Sequence, residues 1–129
     1  MSLFSLDAKV ALVTGGNGGI GYAMAEAMGG NGATVVVAGR NKEKNDNSLK
    51  MLKEKNIIST AFEVDVNDEN SCNDLITKII DTYGKIDILV NNAGTNIRKR
   101  PENYDLKEWT SIINTNLISM FICSKACFS

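Results

Sequence analysis

Apolar and polar residues alternate along the chain in blocks that predict strands and helices in turn. Runs rich in apolar residues, which predict buried strands, cover residues 9–14, 33–38, 58–66 and 86–90. After each run, apolar residues recur at the i, i+3, i+4 and i+7 spacing of a helix with one buried face. This alternation is typical of an α/β protein whose parallel sheet is covered by helices on both faces.

The first two predicted helices differ in character. The first is expected to end at Gly29 and Gly30, because glycine accepts the left-handed conformation of a C-cap. Its apolar stripe consists of Ile20, Ala23, Met24, Ala27 and Met28. The second helix, over residues 41–55, is rich in Lys and Asn. Only Leu49 and Leu52 anchor it, which predicts a helix that is mostly solvated.

The last two predicted helices have clearer periods. The third can begin at Asn67 or Asp68, whose side-chain oxygens can accept from free helix N–H groups, and it is expected to end at Gly84. Its apolar face consists of Leu75, Ile76, Ile79, Ile80 and Tyr83. The last helix places on one face Trp109, Ile112, Ile113, Asn116, Leu117, Met120 and Phe121.

Right-handed crossovers leave few arrangements of these elements. The expected strand order is 3-2-1-4, the N-terminal portion of a Rossmann-type doubly wound parallel sheet. Residues 1–129 then form one dinucleotide-binding domain. The fourth strand would end the sheet with an unpaired edge, and one face of the last helix would be exposed. Because such edges promote association, we expect this chain to self-associate or to be marginally stable.

Charge and composition remove several classes of partner. Fourteen Lys and Arg against fifteen Asp and Glu give a net charge of −1, so we expect no nucleic-acid or membrane-surface partner. No uninterrupted apolar run approaches the length of a membrane span. The N-terminus lacks a signal-peptide pattern, which predicts a cytoplasmic protein. The chain has no His, and Cys72, Cys123 and Cys127 lack metal-site spacing, so we expect no metal site and no disulfide framework.

A glycine-rich segment follows the first predicted strand. A tight turn there needs glycine, a pyrophosphate needs bare backbone, and the following helix offers free N–H groups to phosphates. A flexible turn is the alternative, but the strand before and the helix after favour a nucleotide-binding loop. The predicted cofactor-binding residues of this loop are Gly15, Asn17, Gly18, Gly19, Ile20 and Gly21.

The end of the second strand indicates which nicotinamide cofactor is preferred. An NAD site usually has an acidic residue there to hold the ribose 2′-OH, but the sequence has Gly39 followed by Arg40 and Asn41. A guanidinium can bind a 2′-phosphate with paired hydrogen bonds. These residues predict NADP as the preferred cofactor, with NAD possible. Alternatively, Arg40 is a solvated loop residue, or Lys42 shares its role.

Two motifs together resemble the short-chain dehydrogenase/reductase superfamily. They are the TGxxxGxG spacing of residues 14–21 and the Asn-Asn-Ala-Gly segment of residues 91–94, and the resemblance covers essentially the whole chain. It implies an oxidoreductase that transfers hydride between a nicotinamide cofactor and a secondary alcohol or ketone. It also implies that Asn92, Ala93 and Gly94 line the nicotinamide-ribose side. Asp65, with Val66, would meet the adenine, unless Asp65 is an ordinary polar strand end.

Asn116 interrupts the apolar stripe of the last helix. A buried amide costs about 1–3 kcal/mol unless it is hydrogen-bonded, so backbone or water could hold it as a core residue. The segment 109–121 also resembles the superfamily's helix in which an asparagine positions a water for a proton relay, which implies a catalytic role.

The superfamily relay serves a serine and a tyrosine with a lysine four residues later. Tyr22, Tyr83 and Tyr104 have no Lys at that spacing. In the superfamily these residues lie C-terminal to the asparagine helix. The 129-residue chain by itself is therefore expected to be inactive.

Two short segments suggest a substrate class. Residues 4–6 and the basic stretch 97–100 resemble the sugar-acid and polyol branch of the superfamily, to which gluconate 5-dehydrogenase and 2-deoxy-gluconate 3-dehydrogenase belong. Basic residues near a site can attract a carboxylate, although the stretch can equally be a solvated loop.

Three alternatives to this reading stay open. One is a reductase of 3-oxoacyl carrier-protein thioesters, and another is a non-catalytic nucleotide-binding module or sensor. The third is a structural relic that binds no cofactor. The main reading implies a small-molecule substrate and a homo-oligomer.

Overall fold

The predicted order of strands and helices is present in the computed structural model, which describes residues 3–94 and 99–128. The strands are β1 (Val10–Thr14), β2 (Thr34–Gly39), β3 (Ser59–Glu63) and β4 (Ile88–Asn91). The helices are α1 (Gly19–Gly30), α2 (Lys42–Glu54), α3 (Glu69–Tyr83), α4 (Leu106–Ile113) and α5 (Ser119–Phe128), with a 3₁₀ turn at Pro101–Asn103. A π-helical segment, Asn114–Ile118, joins α4 to α5. The structure confirms each predicted element, with boundaries that differ by one to three residues.

The four strands form a parallel sheet in the order β3-β2-β1-β4, as predicted. In the central strand, Leu12 lies opposite Val36 of β2 and Leu89 of β4. Parallel pairing brings the carboxyl ends of all strands to one edge of the sheet, where α/β proteins bind their ligands.

The core lies on both faces of the sheet, because successive strand residues point to opposite sides. On one side, Leu12 and Val36 pack with Leu75 and Ile79 of α3. On the other side, the core is formed by Ala11, Val13, Ala25, Ala33, Val35, Val37, Leu52 and Ile57. The predicted covering of both faces is therefore present.

The buried face of α1 differs from the predicted stripe. Its buried residues are Gly21 and Ala25, whereas Ile20 is 75% exposed. A Cβ at Gly21 would lie 2.3 Å from the carbonyl oxygen of Gly15, and one at Gly29 would lie 2.4 Å from a methyl carbon of Ile57. The helix thus packs mainly through glycines and Ala25. Of the predicted stripe, Met28 packs against the core, whereas Ile20, Ala23 and Ala27 are exposed. The prediction was wrong at those three positions because glycines carry no hydrophobic signal.

The ends of α3 follow the sequence signals. The N-cap is Asp68, whose carboxylate accepts from the N–H groups of Asn70 and Ser71. The other candidate, Asn67, instead donates from Nδ2 to Thr115 Oγ1 at 2.9 Å. Gly84 ends the helix with a φ of 81°, a conformation that glycine adopts without strain.

The buried face of the last helix consists of small residues. Thr115, Ser119 and Cys123 are buried, and Cys123 Sγ lies 3.8 Å from Cys72 Sγ of α3. Members of the predicted apolar stripe are exposed, among them Trp109, Leu117, Met120 and Phe121. Most of the stripe therefore lies away from the sheet, whereas Ile112, Ile113 and Asn116 are half-buried.

The helical stretch Leu106–Phe128 is long and apolar enough to cross a membrane by length and composition alone. This corrects the expectation that no segment reaches that length. The expectation counted only uninterrupted apolar runs, whereas polar residues such as Asn114 and Ser119 interrupt this helix. Only 17% of its most apolar window is buried.

Asp87 fixes the start of the central strand. Its carboxylate accepts from the backbone N–H of Val10 at 2.8 Å and lies 3.0 Å from Lys85 Nζ. These contacts, chiefly the Val10 hydrogen bond, lower the pKa of the Asp87 carboxyl below its ordinary value. The ionised form therefore stabilises the folded state.

We expect Ile79→Ala to lower the free energy of unfolding by about 2–5 kcal/mol, because a fully buried side chain would leave a cavity between α3 and the sheet. The control is Ile80→Ala at the next residue, which is 42% exposed and should cost less than about 1.5 kcal/mol. Urea titration of both variants measures the difference. Equal losses would contradict the assigned buried face.

We expect Asp87→Asn to be less stable than the wild type at neutral pH. A lowered pKa contributes stability above the ordinary carboxyl pKa, and this stability is lost as pH falls through the folded-state value. The difference between the two proteins should therefore shrink below about pH 4. Unfolding titrations between pH 7 and pH 3 measure it, and a difference independent of pH would exclude this role.

Candidate functional site

A cleft of about 340 Å³ lies at the carboxyl edge of the sheet. There β1 separates β2 from β4, so the chain leaves β1 toward one side of the sheet and later returns to the other. Such a switch point is where doubly wound sheets bind ligands. The cleft is lined by Gly15, Asn17, Ala38, Gly39, Arg40, Asn41, Lys44, Val64, Val66, Ala93, Gly94 and Thr115.

The loop between β1 and α1 forms one wall of the cleft with bare backbone. Gly15 and Gly19 have φ angles of 67° and 56°, which residues other than glycine rarely adopt. A Cβ on Gly15 would lie 3.0 Å from the carbonyl oxygen of Asn92. Gly18, the N-cap of α1, has no side chain to satisfy the first helix N–H groups. The loop can therefore offer these groups to an anion.

Thr14 joins the ends of β1 and β4. Its hydroxyl donates to the carbonyl oxygen of Val90 at 3.3 Å and accepts from the N–H groups of Asn92 and Ala93. The Asn92 amide in turn donates to the carbonyl oxygen of Gly15 at 3.2 Å. Thr14 is 1% exposed, so these bonds form in an environment where water cannot replace them.

Cationic side chains lie at the β2 end of the cleft. Arg40 and Lys44 line it, and Arg40 Nε lies 3.9 Å from Asp65 Oδ1. Both members of that ion pair are about half exposed, so the pair adds little stability. Asn41 accepts from the Lys44 N–H at 3.0 Å and caps α2. This end of the cleft is suited to a phosphate or another small anion.

Asn116 lies at the opposite end, within the π-helical segment. A Cβ on Gly94 would be 3.3 Å from Asn116 Oδ1, which places this amide beside the loop after β4. The neighbouring Thr115 is buried and bound to Asn67. Isolated π-helical turns are frequent at functional sites, and Asn116 lies within this one.

The predicted site residues fall into three groups. Those that line the cleft are Gly15, Asn17, Arg40, Asn41, Val66, Ala93 and Gly94. Those that pack beside it are Gly21, Asp65, Asn92 and Asn116. Those that lie exposed in the first turn of α1 or just before it, without lining the cleft, are Gly18, Gly19 and Ile20.

The basic stretch after β4, residues 97–100, lies only partly within the described residues. Ile97 and Arg98 lie outside the described residues. Lys99 Nζ contacts Glu108 at 2.6 Å, and this hydrogen bond raises the pKa of Lys99. Arg100 precedes the 3₁₀ turn as its N-cap.

Sequence reasoning missed several residues at the site. Thr14, Lys44, Asn45 and Thr115 were not predicted. Lys44 is one of several lysines in a polar helix. Only its position in the first turn of α2, close in sequence to Arg40, could have indicated that it lines the cleft. Thr14 begins the TGxxxGxG motif, but its bonds to the chain after β4 were not predicted. Asn45 bonds to Asn17 and Thr115 bonds to Asn67, and local patterns do not reveal such bonds between segments distant in sequence.

The family model described as short chain dehydrogenase matches residues 9–129. The chain belongs to the short-chain dehydrogenase family. Its sheet order and its glycine loop are therefore those of the family to which the two motifs pointed.

Relatives of known sequence extend this result. An uncharacterized oxidoreductase of Thermotoga maritima is 40% identical over 122 residues, which are 95% of this chain and 48% of the relative. Gluconate 5-dehydrogenase of Gluconobacter oxydans is 36% identical over 124 residues, 96% of this chain and 48% of the relative. The chain thus spans about half the length of the curated relatives it matches.

Solved short-chain dehydrogenase structures have the same fold. 2-Keto-3-deoxy-D-gluconate dehydrogenase of Streptococcus agalactiae superposes with a TM-score of 0.87 at 38% identity, over 97% of this chain and 47% of that one. A variant of actinorhodin polyketide ketoreductase with NADPH gives 0.91 at 31% identity, over 94% and 46%. The family and its NADPH-bound member support nicotinamide-cofactor binding.

We expect Gly21→Ala to lower the free energy of unfolding by about 1–3 kcal/mol, because the new methyl group would overlap the Gly15 carbonyl and force the loop to move. The control is Gly18→Ala in the same loop, where a Cβ would meet nothing within 4 Å and the extended backbone accepts any residue. Thermal or urea unfolding compares the two. A Gly21→Ala protein as stable as the control would contradict the close packing of this loop.

Proposed function

We propose that this chain is the NADP(H)-binding part of an oxidoreductase that moves hydride between the nicotinamide and a secondary alcohol or ketone. The observation that carries the proposal is the cleft at the switch point of the sheet, bounded by the glycine loop on one side and by Asn92–Gly94 on the other. The nicotinamide, when bound, supplies the hydride chemistry. The residues of this chain bind and orient the cofactor.

The glycine loop would hold the pyrophosphate. Gly15 and Asn17 line the cleft, and the N-terminus of α1 presents N–H groups and the positive end of the helix dipole. Gly18, Gly19 and Ile20 would contribute through their backbone, and Gly21 allows α1 to approach β1. At the far end, Asn92, Ala93 and Gly94 would face the nicotinamide ribose.

The β2 end would hold the adenosine. Gly39 offers no carboxylate to the ribose 2′-OH, while Arg40 and Lys44 bring two positive charges to the same part of the cleft. A carboxylate there would repel a 2′-phosphate, whereas these cations attract it. Asn41 lies at the same wall, and Val66 and Asp65 would bound the adenine. We therefore propose NADP(H) as the preferred cofactor, with NAD(H) as the weaker ligand.

Asn116 would act on the catalytic side of the cofactor, as a residue that positions a water near Gly94. Within residues 1–129 no Tyr is followed by Lys four positions later. The family resemblance implies that the acid for the substrate oxygen is a tyrosine followed by such a lysine, so we expect the 129-residue chain alone to bind cofactor without turnover.

A sugar acid is the substrate class that we propose. Support comes from the names of two relatives, a gluconate 5-dehydrogenase and a 2-keto-3-deoxy-D-gluconate dehydrogenase. The basic stretch gives less support, because Lys99 is paired with Glu108. The likeness to a polyketide ketoreductase supports carrier-bound 3-oxoacyl thioesters as the second candidate. Oxidation assays with gluconate and reduction assays with a 3-oxoacyl thioester distinguish the two.

The exposed apolar face of the last helix supports a homo-oligomer, which stays a prediction. Trp109, Leu117 and Phe121 together would leave a large apolar surface in water, and such surfaces usually mark an interface.

We expect Arg40→Asp to weaken NADPH binding at least about tenfold more than NADH binding, because it replaces an attraction for the 2′-phosphate by a repulsion. Titration calorimetry or cofactor fluorescence measures both dissociation constants. The control is Lys50→Asp, which makes the same change of charge on α2 outside the cleft.

The Arg40 experiment also separates the alternative functions. If Arg40→Asp weakens the binding of NADPH and NADH equally, the proposed NADP(H) preference is overturned. Tight cofactor binding by an intact protein without any dehydrogenase activity would favour the non-catalytic nucleotide-binding module. If the wild-type protein binds neither cofactor, the remaining alternative is a structural relic without a nucleotide-binding function.

A further inference from the structure

A buried asparagine on α2 joins the glycine loop to the ends of two strands. Asn45 is 2% exposed. Its Nδ2 donates to the carbonyl oxygen of Gly39 at 2.9 Å and to that of Phe62 at 3.2 Å. Its Oδ1 accepts from Asn17 Nδ2 at 2.9 Å. One carboxamide thus holds the ends of β2 and β3 and the middle of the loop.

The orientation of both amides follows from their partners. Backbone carbonyls only accept, so the NH₂ group of Asn45 must face Gly39 and Phe62. Its oxygen then faces Asn17, whose NH₂ group must point toward α2. The amide of Asn17 is therefore fixed in one orientation by Asn45.

The inward face of α2 does not need an amide for packing. Leu52, on the same side of the helix, is fully buried and apolar. A polar side chain at a buried position costs free energy unless all its groups are bonded. Asn45 meets that condition by using two donors and one acceptor, so what distinguishes this position is the connection it makes to the loop.

The hydrogen bond to Asn45 holds the Asn17 side chain in the space that a side chain at position 39 would occupy. A Cβ on Gly39 would lie 2.5 Å from Asn17 Nδ2 and 3.1 Å from Asn45 Oδ1. No side chain, and hence no carboxylate, fits at position 39 while the two amides are bonded. The amide of Asn17 takes the place of a side chain at position 39, and Asn17 lines the same cleft as Arg40.

We propose that Asn45 is a positioning residue for cofactor selection. It holds the Asn17 amide over the end of β2, so that the second N–H of Nδ2 donates to the 2′-phosphate of NADP(H) next to Arg40. Asn45 does not contact the cofactor and acts only through Asn17. This inference rests on the proposed NADP(H)-binding function.

The test is the ratio of the dissociation constants of NADH and NADPH, measured on the intact protein expressed from its whole reading frame. Asn45→Leu keeps a side chain of similar size and removes the amide. It is expected to lower the ratio by roughly two- to tenfold, the range that corresponds to one lost hydrogen bond. A purely structural role would weaken both cofactors alike and leave the ratio unchanged.

A double-variant cycle shows whether Asn45 acts through Asn17. Asn17→Ala should lower the ratio as much as Asn45→Leu, and the two substitutions together should lower it no further. The control is Ser48→Ala, because Ser48 is fully buried on the same face of α2 and its hydroxyl donates to the Asn45 carbonyl without reaching the loop. Its ratio should equal that of the wild type.

Failure of the proposed NADP(H)-binding function can be distinguished from failure of the inference about Asn45. If the wild type binds neither cofactor or prefers NADH, the proposed function fails and the inference with it. If the wild type prefers NADPH but Asn45→Leu leaves the ratio unchanged, or adds fully to Asn17→Ala, only the inference is overturned. Should Asn45→Leu not fold, Asn45→Ala removes the same amide without crowding and is judged by the same ratio.

Discussion

The close approach of two backbone segments at the carboxyl edge of the sheet is the constraint on which the site depends. The loop after β1 lies so near the chain after β4 that a side chain at Gly15 or Gly21 would overlap it. Thr14 and Asn92 bond the two segments across this contact. Because the loop cannot fill the space beyond the strand ends with side chains, a cleft lined by backbone groups is left there, suited to a ligand with phosphates.

Hydrogen bonds of polar side chains connect the segments that surround this cleft. Thr14 joins β1 to β4, Asn45 joins β2, β3 and the loop, and Asn67 joins the start of α3 to Thr115 in the π-helical segment. The bonds of Thr14 to Ala93, of Asn67 to Thr115 and of Asn45 to Asn17 link segments far apart in sequence. All of these bonds lie near the strand ends and away from the middle of the sheet. The apolar core thus fixes the layers, whereas these hydrogen bonds fix the positions of the loops around the cleft.

The sequence predicted the layers well because strand and helix periods are local properties. The strand order and the glycine loop followed from four apolar runs and two motifs. Most of the face of α1 was predicted wrongly, because the helix packs mainly through Gly21 and Ala25, and Gly21 has no hydrophobic side chain. Asn45 was not predicted, because a polar residue in a polar helix gives no local sign that it bonds to a loop 28 residues earlier.

We propose that the β2 end of the cleft holds the 2′-phosphate side of a dinucleotide. The first experiment is to follow backbone amide NMR shifts on addition of adenosine 2′,5′-bisphosphate, since this probe carries only the adenosine part of NADP. We expect the largest shifts at Asn17, Arg40 and Val66, and little change in the outer face of α2 near Lys50. Shifts concentrated elsewhere, or none at millimolar probe, would contradict it.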